Sequence, residues 1–218
     1  MVAAKLLAAA ALTGLTFTAS ALADAPTVRI TSADQARAVA LLLRLTDFGA
    51  GWQGGQVRAT PLTPPNCPGF DPQESDLVVT GHADARYTFP HAGVELDQDV
   101  QVLKSAAMVQ TDFARSISPQ LATCIGEQLG QMHNVDDATV ARLPFPPTGT
   151  ASAVYRATIT LKNGGPAGPL LSDYVFLGEG RVEYEFTVIA PSAAAAQLTR
   201  FELGLAQMLL RRAAAPPG

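Results

Sequence analysis

The sequence predicts an α+β fold: a twisted antiparallel sheet built from hairpins, with helices packed on one face and one disulfide. Several segments alternate apolar and polar residues with a period of two, which is typical of strands with one buried face. Other segments place apolar residues at helical spacing, and these fall between and after the hairpins. Each half of the chain runs through strands and a hairpin to a helix. This suggests an internal duplication, although alanine-rich composition alone would give the same likeness.

The start of the chain has the features of a secretory signal peptide. Lys5 supplies a positive charge, residues 6–19 are apolar and uncharged, and Ala21-Leu22-Ala23 matches a small-x-small cleavage site. The apolar run is shorter than the ~20 residues that span a bilayer, so a permanent anchor is the weaker alternative. We therefore expect residues 1–23 to be cleaved, and the mature protein to be secreted or periplasmic, in the cell envelope, without a stable membrane anchor.

Composition favours one folded domain that does not bind nucleic acid. Hydrophobic residues make up 48% of the chain and charged residues 16%, a balance that supports a packed core rather than disorder. The formal net charge of −4 at pH 7 gives no sign of the basic patch typical of nucleic-acid binding. We place a single domain at residues 24–212 and a disordered tail at 213–218, where two prolines prevent the last helix from continuing.

The two cysteines, Cys67 and Cys124, are expected to form a structural disulfide. In an oxidising compartment an even count favours a bond, and two cysteines allow only one pairing. A redox-active pair is the alternative, but such pairs normally have the C-x-x-C spacing. The bond would join positions 57 apart and stabilise the fold by ~4 kcal/mol if loop-closure entropy dominates.

The N-terminal part is predicted to contain one helix and a long loop. Ser32 followed by Gln35 matches a capping box, which begins a helix at residues 34–45. Residues 49–72 are rich in glycine and proline and are predicted as a loop, with a short strand near residues 56–61.

Two strands, at residues 77–89 and 94–102, are predicted to form a hairpin across Pro90-His91-Ala92-Gly93. Opposing apolar residues then fall on one face, and a shift of one residue would break that agreement. Gln98 is the one polar residue in the buried row and needs a hydrogen-bond partner there. The predicted buried pairs are Phe89 with Val94, Tyr87 with Leu96, Ala83 with Val100 and Gly81 with Val102, and the predicted polar pairs are Arg86 with Asp97 and Asp84 with Asp99.

The remaining predicted elements are three helices and four strands. Ser105 caps a helix that extends to residue 117, and Ser118-Pro119 separates it from a helix at 120–129 that carries Cys124. An apolar stripe that includes Phe201 predicts the last helix, which begins at residue 192. The strands lie at residues 138–143, 151–161, 173–177 and 181–190, and the third and fourth are joined by a loop of two or three residues.

The stretch Gly49–Gly54 is GAGWQG, which fits the G-x-G-x-x-G pattern of dinucleotide-binding loops. That loop must follow a strand and open a helix, whereas this stretch follows a helix and enters a loop. Trp52 would also obstruct the approach of a pyrophosphate, so we predict that it anchors the loop to the core. No nucleophile elbow or H-E-x-x-H zinc motif occurs in the sequence. We therefore expect no cofactor, no metal and no catalysis.

The polar face of the first hairpin carries a dense group of charges around His82 and Arg86. Carboxylates in close proximity hold a cation or share a proton in some proteins, and a histidine beside them would respond to pH. A solvated strand face with no function is the simpler interpretation, for the histidine as well. The acidic residues concerned are Asp84, Glu95, Asp97 and Asp99.

The space between the helices and the sheet is a candidate site for a small apolar ligand. Aromatic side chains would line such a groove, although residues of this kind more often form an ordinary core. The candidate groove residues are Trp52, Tyr87, Phe89, Phe113, Tyr155, Tyr184 and Phe201.

The order of motifs resembles a known group of proteins. A helix is followed by D-F-x-x-G-W (Asp47 to Trp52), a loop cysteine, a long hairpin and a cysteine-bearing helix. This order is similar to that in the extracellular sensor domains of actinobacterial Ser/Thr kinases and in related secreted or lipid-anchored envelope proteins. The overlap covers residues 33–212. This sequence departs from the pattern in having no kinase or transmembrane segment and only one cysteine pair, where those domains often have two.

The resemblance implies an extracytoplasmic α/β domain with a binding groove and no established catalysis. We expect a non-catalytic, sensor-like domain associated with the cell envelope, which binds a small apolar ligand or an envelope protein. The alternative is a secreted hydrolase whose site is assembled from scattered residues. The absence of a nucleophile–base signature favours the first hypothesis.

Overall fold

The computed structural model describes residues 24–63, 67–162 and 168–215. The expected signal peptide and the last three residues of the expected tail lie outside these ranges. The described residues form the α-helices α1 (Ser32–Leu41), α2 (Ala106–Ser116), α3 (Pro119–Gly130) and α4 (Ala195–Ala214). Their strands are β1 (Thr27–Val28), β2 (Gln53–Val57), β3 (Val78–Phe89), β4 (Val94–Leu103), β5 (Val135–Leu143), β6 (Ala151–Leu161), β7 (Leu170–Glu179) and β8 (Val182–Pro191).

One continuous sheet of eight strands organises the described residues. The strand order is β1-β3-β4-β8-β7-β6-β5, and β2 pairs with β3 outside this path. Among these strands, only β1 and β3 run parallel, with Thr27 opposite Val78. The predicted α+β class, the antiparallel character of the sheet and the disulfide are confirmed. The β4–β8 pairing connects two hairpins that lie far apart in the sequence.

The register of the β3–β4 hairpin is the predicted one. All four predicted buried pairs and both predicted polar pairs occur. Gly93, at φ 62°, completes the connection after a 3-10 turn at Pro90–Ala92. Gln98, the polar residue in the buried row, accepts a hydrogen bond through Oε1 from the Leu43 amide at 2.8 Å. The hairpin therefore forms as its own alternation specifies.

Helix α1 differs from its prediction at both ends. It begins at Ser32 and not at residue 34, and it ends at Leu41 and not at residue 45. Its N-cap is Thr31, whose hydroxyl accepts a hydrogen bond from the Asp34 amide at 3.1 Å, so the predicted capping box of Ser32 with Gln35 is wrong. The Gln35 side chain instead pairs with the backbone of His82. Its Nε2 donates to the carbonyl at 2.8 Å, and its Oε1 accepts from the amide at 3.2 Å. This residue fixes α1 to β3.

The helices lie on both faces of the sheet, and not on one face as expected. Strand β7 shows this, because successive residues of a strand point to opposite faces. Val175 belongs to a core cluster with residues of α1 and α4, whereas Tyr174 packs against a cluster with residues of α3. Helix α2 lies on the second side, where Val109 and Phe113 approach Gly178. We call the two sides the α1/α4 face and the α2/α3 face.

Smaller differences concern the ends of elements. Strand β2 occupies Gln53–Val57 and so includes part of GAGWQG, which was predicted as loop. Helix α4 continues to Ala214, two residues past the expected domain boundary, because alanines continue a helix until the prolines are reached. The β7–β8 loop has two residues, since Glu179 pairs directly with Val182.

The disulfide attaches the long loop to helix α3. Cys67 and Cys124 are bonded, with a Cα–Cα distance of 5.4 Å. Cys67 also pairs through its backbone with Phe70, and all three residues belong to the core cluster of the α2/α3 face. The loop is thereby held over this face of the sheet.

Candidate functional site

The candidate groove residues separate into three groups. Trp52 stacks with ring-centroid distances of 4.6 Å to Phe48, 5.5 Å to Phe89 and 5.7 Å to Phe201. Phe48 also packs at 4.9 Å from Tyr87. Four of the seven candidates therefore form one aromatic cluster on the α1/α4 face, where Trp52 anchors the GAGWQG stretch as predicted.

The other three candidates lie elsewhere. Tyr155 is buried in the cluster of the α2/α3 face and donates its hydroxyl to the Ser118 carbonyl at 3.1 Å. Tyr184 is buried and donates its hydroxyl to the Leu209 carbonyl of α4 at 3.3 Å. Phe113 lines a cavity on the α2/α3 face. The structure therefore does not bring the seven residues together in one groove.

A cavity of about 730 Å³ lies between the sheet, α2, α3 and the loop that carries the disulfide. This volume is in the range of small-molecule sites. Helices α2 and α3 contribute Phe113 and Leu121 to its walls, and Ile117 lies between the two helices. The loop contributes Phe70 and Leu77. The sheet provides a floor that is partly apolar and partly acidic.

Three contacts position the walls of the cavity. A Cβ atom on Gly178 would approach Val109 to 2.9 Å, so glycine at this place in β7 lets α2 pack closely. Arg115 on α2 forms an ion pair with Asp76 at 2.6 Å, which connects α2 to the loop. The disulfide of Cys67 connects the same loop to α3. The cavity is therefore bounded by elements that are attached to one another.

Five acidic residues from four parts of the chain line this cavity. The strand register explains how two of them meet, because Asp99 on β4 lies opposite Glu185 on β8. Asp112 on α2 accepts a hydrogen bond from the Ser116 hydroxyl at 2.9 Å. Among the described lining residues there is no lysine, arginine or histidine. The five acidic residues are Glu74, Asp99, Asp112, Glu183 and Glu185.

Glu183 is the most deeply buried of the five. Only 8% of the residue is exposed, and its Oε1 has no hydrogen-bond partner among the described residues. Burial raises the pKa of Glu183 well above its ordinary value, and the neighbouring Asp112 carboxyl raises it further. Burial and then the charge of Asp112 likewise raise the pKa of Glu74 to about 8. The cavity thus favours protonated carboxyls because it offers little compensating positive charge.

His82 lies beside the cavity, between two carboxylates. Its Nε2 is 3.0 Å from Asp84 Oδ1 and 2.5 Å from Asp99 Oδ2. Burial disfavours the charged imidazole, but hydrogen bonds with Asp84 and Asp99 outweigh it and raise the pKa of His82 to about 9. The side chain is 10% exposed, so the interpretation of His82 as a solvated residue is wrong. The reason is that the loop at Thr60 covers the part of the polar face around Asp84 and His82.

Asp84 is held from both sides. Burial disfavours its charge, but hydrogen bonds from His82 and from Thr60 lower its pKa to about 2. The Thr60 amide donates at 2.8 Å and the Thr60 hydroxyl at 2.7 Å. His82, Asp84 and Asp99 thus form an ion triad in which the protonated imidazole neutralises one of the two carboxylates.

The triad is also the one group of described residues whose potential metal-ligand atoms lie within 4.8 Å of one another. Because the protonated imidazole already occupies the position between the carboxylates, the protein's own cation fulfils the role that a metal would have there. The other members of the predicted acidic face lie apart from it. Asp97 forms an exposed ion pair with Arg86 at 2.5 Å, and Glu95 lies opposite Thr88.

No protein-family model matches this chain, and a comparison with curated proteins gives no match. Among the described helices, none combines the length and the apolar character needed to cross a membrane.

The acidic floor was not predicted from the sequence. Glu183 and Glu185 flank the buried Tyr184 in β8, which marks them as a polar row but does not reveal that α2 covers it. Asp112 follows the helical spacing of α2 and gives no sign of facing the sheet. A glycine inside a strand indicates close approach of another element, but Gly178 lies beyond the predicted end of its strand at residue 177, and only the structure places it inside β7.

Proposed function

We propose that the protein is a non-catalytic, extracytoplasmic domain that binds a small ligand with an apolar body. The cavity on the α2/α3 face carries this proposal, because its volume of about 730 Å³ suits a small molecule and its walls are largely aliphatic and aromatic. The disulfide is consistent with an oxidising compartment outside the cytoplasm. The resemblance to kinase sensor domains supports the same kind of function.

A secreted hydrolase is the second candidate, and the acidic floor is the observation in its favour. Buried carboxyls with raised pKa values, such as Glu183, are typical of general acids. Against catalysis, the Ser116 hydroxyl donates to Asp112 without a histidine base, and the nearby His82 is held by two carboxylates. Binding without chemistry is therefore the function that the geometry supports best.

The proposal is tested with N-phenyl-1-naphthylamine, a neutral apolar probe whose fluorescence increases when it leaves water. We expect saturable binding to the wild-type protein. Ile117→Trp should weaken binding at least ~10-fold, because the new ring occupies the cavity. Leu45→Trp should bind like the wild type, because Leu45 is exposed and outside the cavity. Circular dichroism checks that both variants are folded.

The absence of saturable binding to the wild-type protein would contradict the proposal. Equal binding by the Ile117→Trp and Leu45→Trp variants would contradict the assignment to this cavity. Turnover of ester or glycoside substrates that is lost in Glu183→Gln would favour the hydrolase instead.

A further inference from the structure

We infer that the ligand carries a positively charged group with N–H donors on its apolar body, as a protonated alkylamine does. The inference rests on the proposed function and extends it by assigning the chemical class of the ligand. It stands on three observations: the charge of the cavity lining, one buried oxygen without a partner, and the dispersed arrangement of the carboxyls.

The charge of the lining is one-sided. Its five carboxyl groups come from a loop, α2, β4 and β8, and no described lining residue is basic. Arg115 is directed to Asp76, outside the lining, and His82 is held between Asp84 and Asp99. A cation that enters this site favours ionisation of the carboxyls around it, whereas an anion finds no basic lining residue with which to pair.

Glu183 supplies an acceptor with no donor. Its Oε1 has no hydrogen-bond partner, and the residue is 8% exposed at the floor of the cavity. On the neighbouring strands it lies opposite Gly178, which has no side chain, and Gln101. A buried polar atom without a partner is unfavourable, so a donor from a ligand would be stabilising there.

The geometry suits an organic cation better than a metal ion. Of the five lining carboxyls, only Asp99 belongs to a group of potential ligand atoms within 4.8 Å, and its partners there are His82 and Asp84. The lining also includes the rings of Phe113 and Phe176. Aromatic faces attract organic cations, and the aliphatic wall residues accept an alkyl chain.

The electrostatics of the whole cavity agree with this. Burial raises the pKa of Glu183, Glu74 and Asp112, which is the expected response of acids that lack a counter-charge. The titratable groups around Glu183 are Asp112 on α2, Glu74 and Asp76 on the loop, Asp99 on β4, Tyr174 on β7 and Glu185 on β8, with Arg115 and His82 as the adjacent cations. A bound cation would stabilise the ionised carboxyls and release protons.

The test compares three probes with the same chain and different head groups. The three probes are dodecylammonium, dodecanol and dodecyl sulfate. Each is titrated, below its micelle-forming concentration, against bound N-phenyl-1-naphthylamine. We expect the cation to displace the probe at a concentration at least ~10-fold lower than dodecanol does, and the sulfate to be the weakest competitor.

Two variants locate the effect. Glu183→Gln keeps the shape of the side chain, and we expect its ratio of dodecanol to cation concentrations to fall by at least ~3-fold, since the other four lining carboxyls remain. Glu95→Gln removes an acid at an exposed position outside the lining and should keep the wild-type ratio.

If the naphthylamine does not bind to the wild-type protein, the proposed function fails. If it binds but the three probes compete equally, or Glu183→Gln keeps the ratio, only this inference is overturned.

Discussion

His82 shows how one residue reverses the expectation drawn from its position on a strand. Its place in the alternation makes it a surface residue, yet its side chain is 10% exposed and touches two carboxylates. The pairing of Asp84 with Asp99 was predictable, because a four-residue turn fixes the register of neighbouring strands. Burial of the pair was not predictable, because the covering segments come from outside the hairpin.

Replacement of His82 tests the ion triad. At pH 7 we expect His82→Gln to lower the free energy of unfolding by about 2 kcal/mol, because two carboxylates then face each other without a cation. The pKa of His82 is raised to about 9 in the folded protein. Its contribution is therefore full below an unfolded pKa of about 6.5 and is lost as the pH rises to about 9. Urea denaturation at several pH values measures the difference.

Arg86→Gln is the matched control for His82→Gln, since it breaks an ion pair on the same hairpin. Its side chain is 65% exposed and that of Asp97 is 52% exposed. We expect a loss below ~1 kcal/mol. A difference between wild type and His82→Gln that does not change between pH 6 and 9.5 would contradict the triad.

Glu202 on α4 offers a second test at the level of one residue. It has no solvent exposure, and neither of its carboxyl oxygens has a partner among the described residues. Burial raises its pKa, and the neighbouring Asp173, which is paired with Arg156 at 2.5 Å, raises it further. The folded protein therefore keeps a proton that the unfolded chain releases above about pH 4.5.

The raised pKa of Glu202 makes the wild type less stable as the pH rises. We expect Glu202→Gln to remove this dependence and to gain stability relative to wild type, by roughly 1 kcal/mol per pH unit between pH 6 and 8. Glu127→Gln, at an exposed position of α3, should show no such trend. Parallel pH profiles for wild type and Glu202→Gln, measured by chemical denaturation, would count against a protonated buried carboxyl.

At the level of elements, local patterns were sufficient for most strands and for the breaks between helices. Strand β6 has the predicted bounds, and Pro119 separates α2 from α3 as expected. The pairing of β4 with β8 could not be predicted from these patterns. The alternation of residues in β4 shows which face is buried, but it does not show which strand pairs with its other edge. That pairing brings Glu183 and Glu185 beside Asp99, so the acidic floor depends on the least predictable contact of the sheet.

The close packing of α1 against β3 at Gly81 gives a prediction about the stability of this helix–sheet contact. A Cβ atom on Gly81 would lie 2.2 Å from the Asp34 carbonyl oxygen, so Gly81→Ala must push the helix away from the sheet. We expect it to cost about 2 kcal/mol. Gly204→Ala in α4 is the control, because nothing lies within 4 Å of its Cβ position, and it should gain ~0.5–1 kcal/mol. Equal thermal midpoints for the two variants would show that α1 does not pack this closely against β3 at Gly81.

For the whole molecule, the division of helices between the two faces explains why the site lies where no simple pattern placed it. On the α1/α4 face the aromatic cluster around Trp52 is partly buried and packs against the larger of the two core clusters. The α2/α3 face combines a smaller cluster with the cavity, since short helices and a loop cover a wide sheet there. The disulfide attaches the loop to α3 on this less completely packed side.

The disulfide therefore gives the prediction that involves the whole chain. It closes a loop between residues 57 apart, and we expect its removal to cost about 4 kcal/mol, measured as the free energy of unfolding in urea. Cys67→Ala, Cys124→Ala and the double variant should all lose the same amount, because either single change removes the whole bond. The wild type with reductant should match them. Costs of the single variants that sum to the cost of the double variant would show that the two side chains contribute by packing and not by their bond.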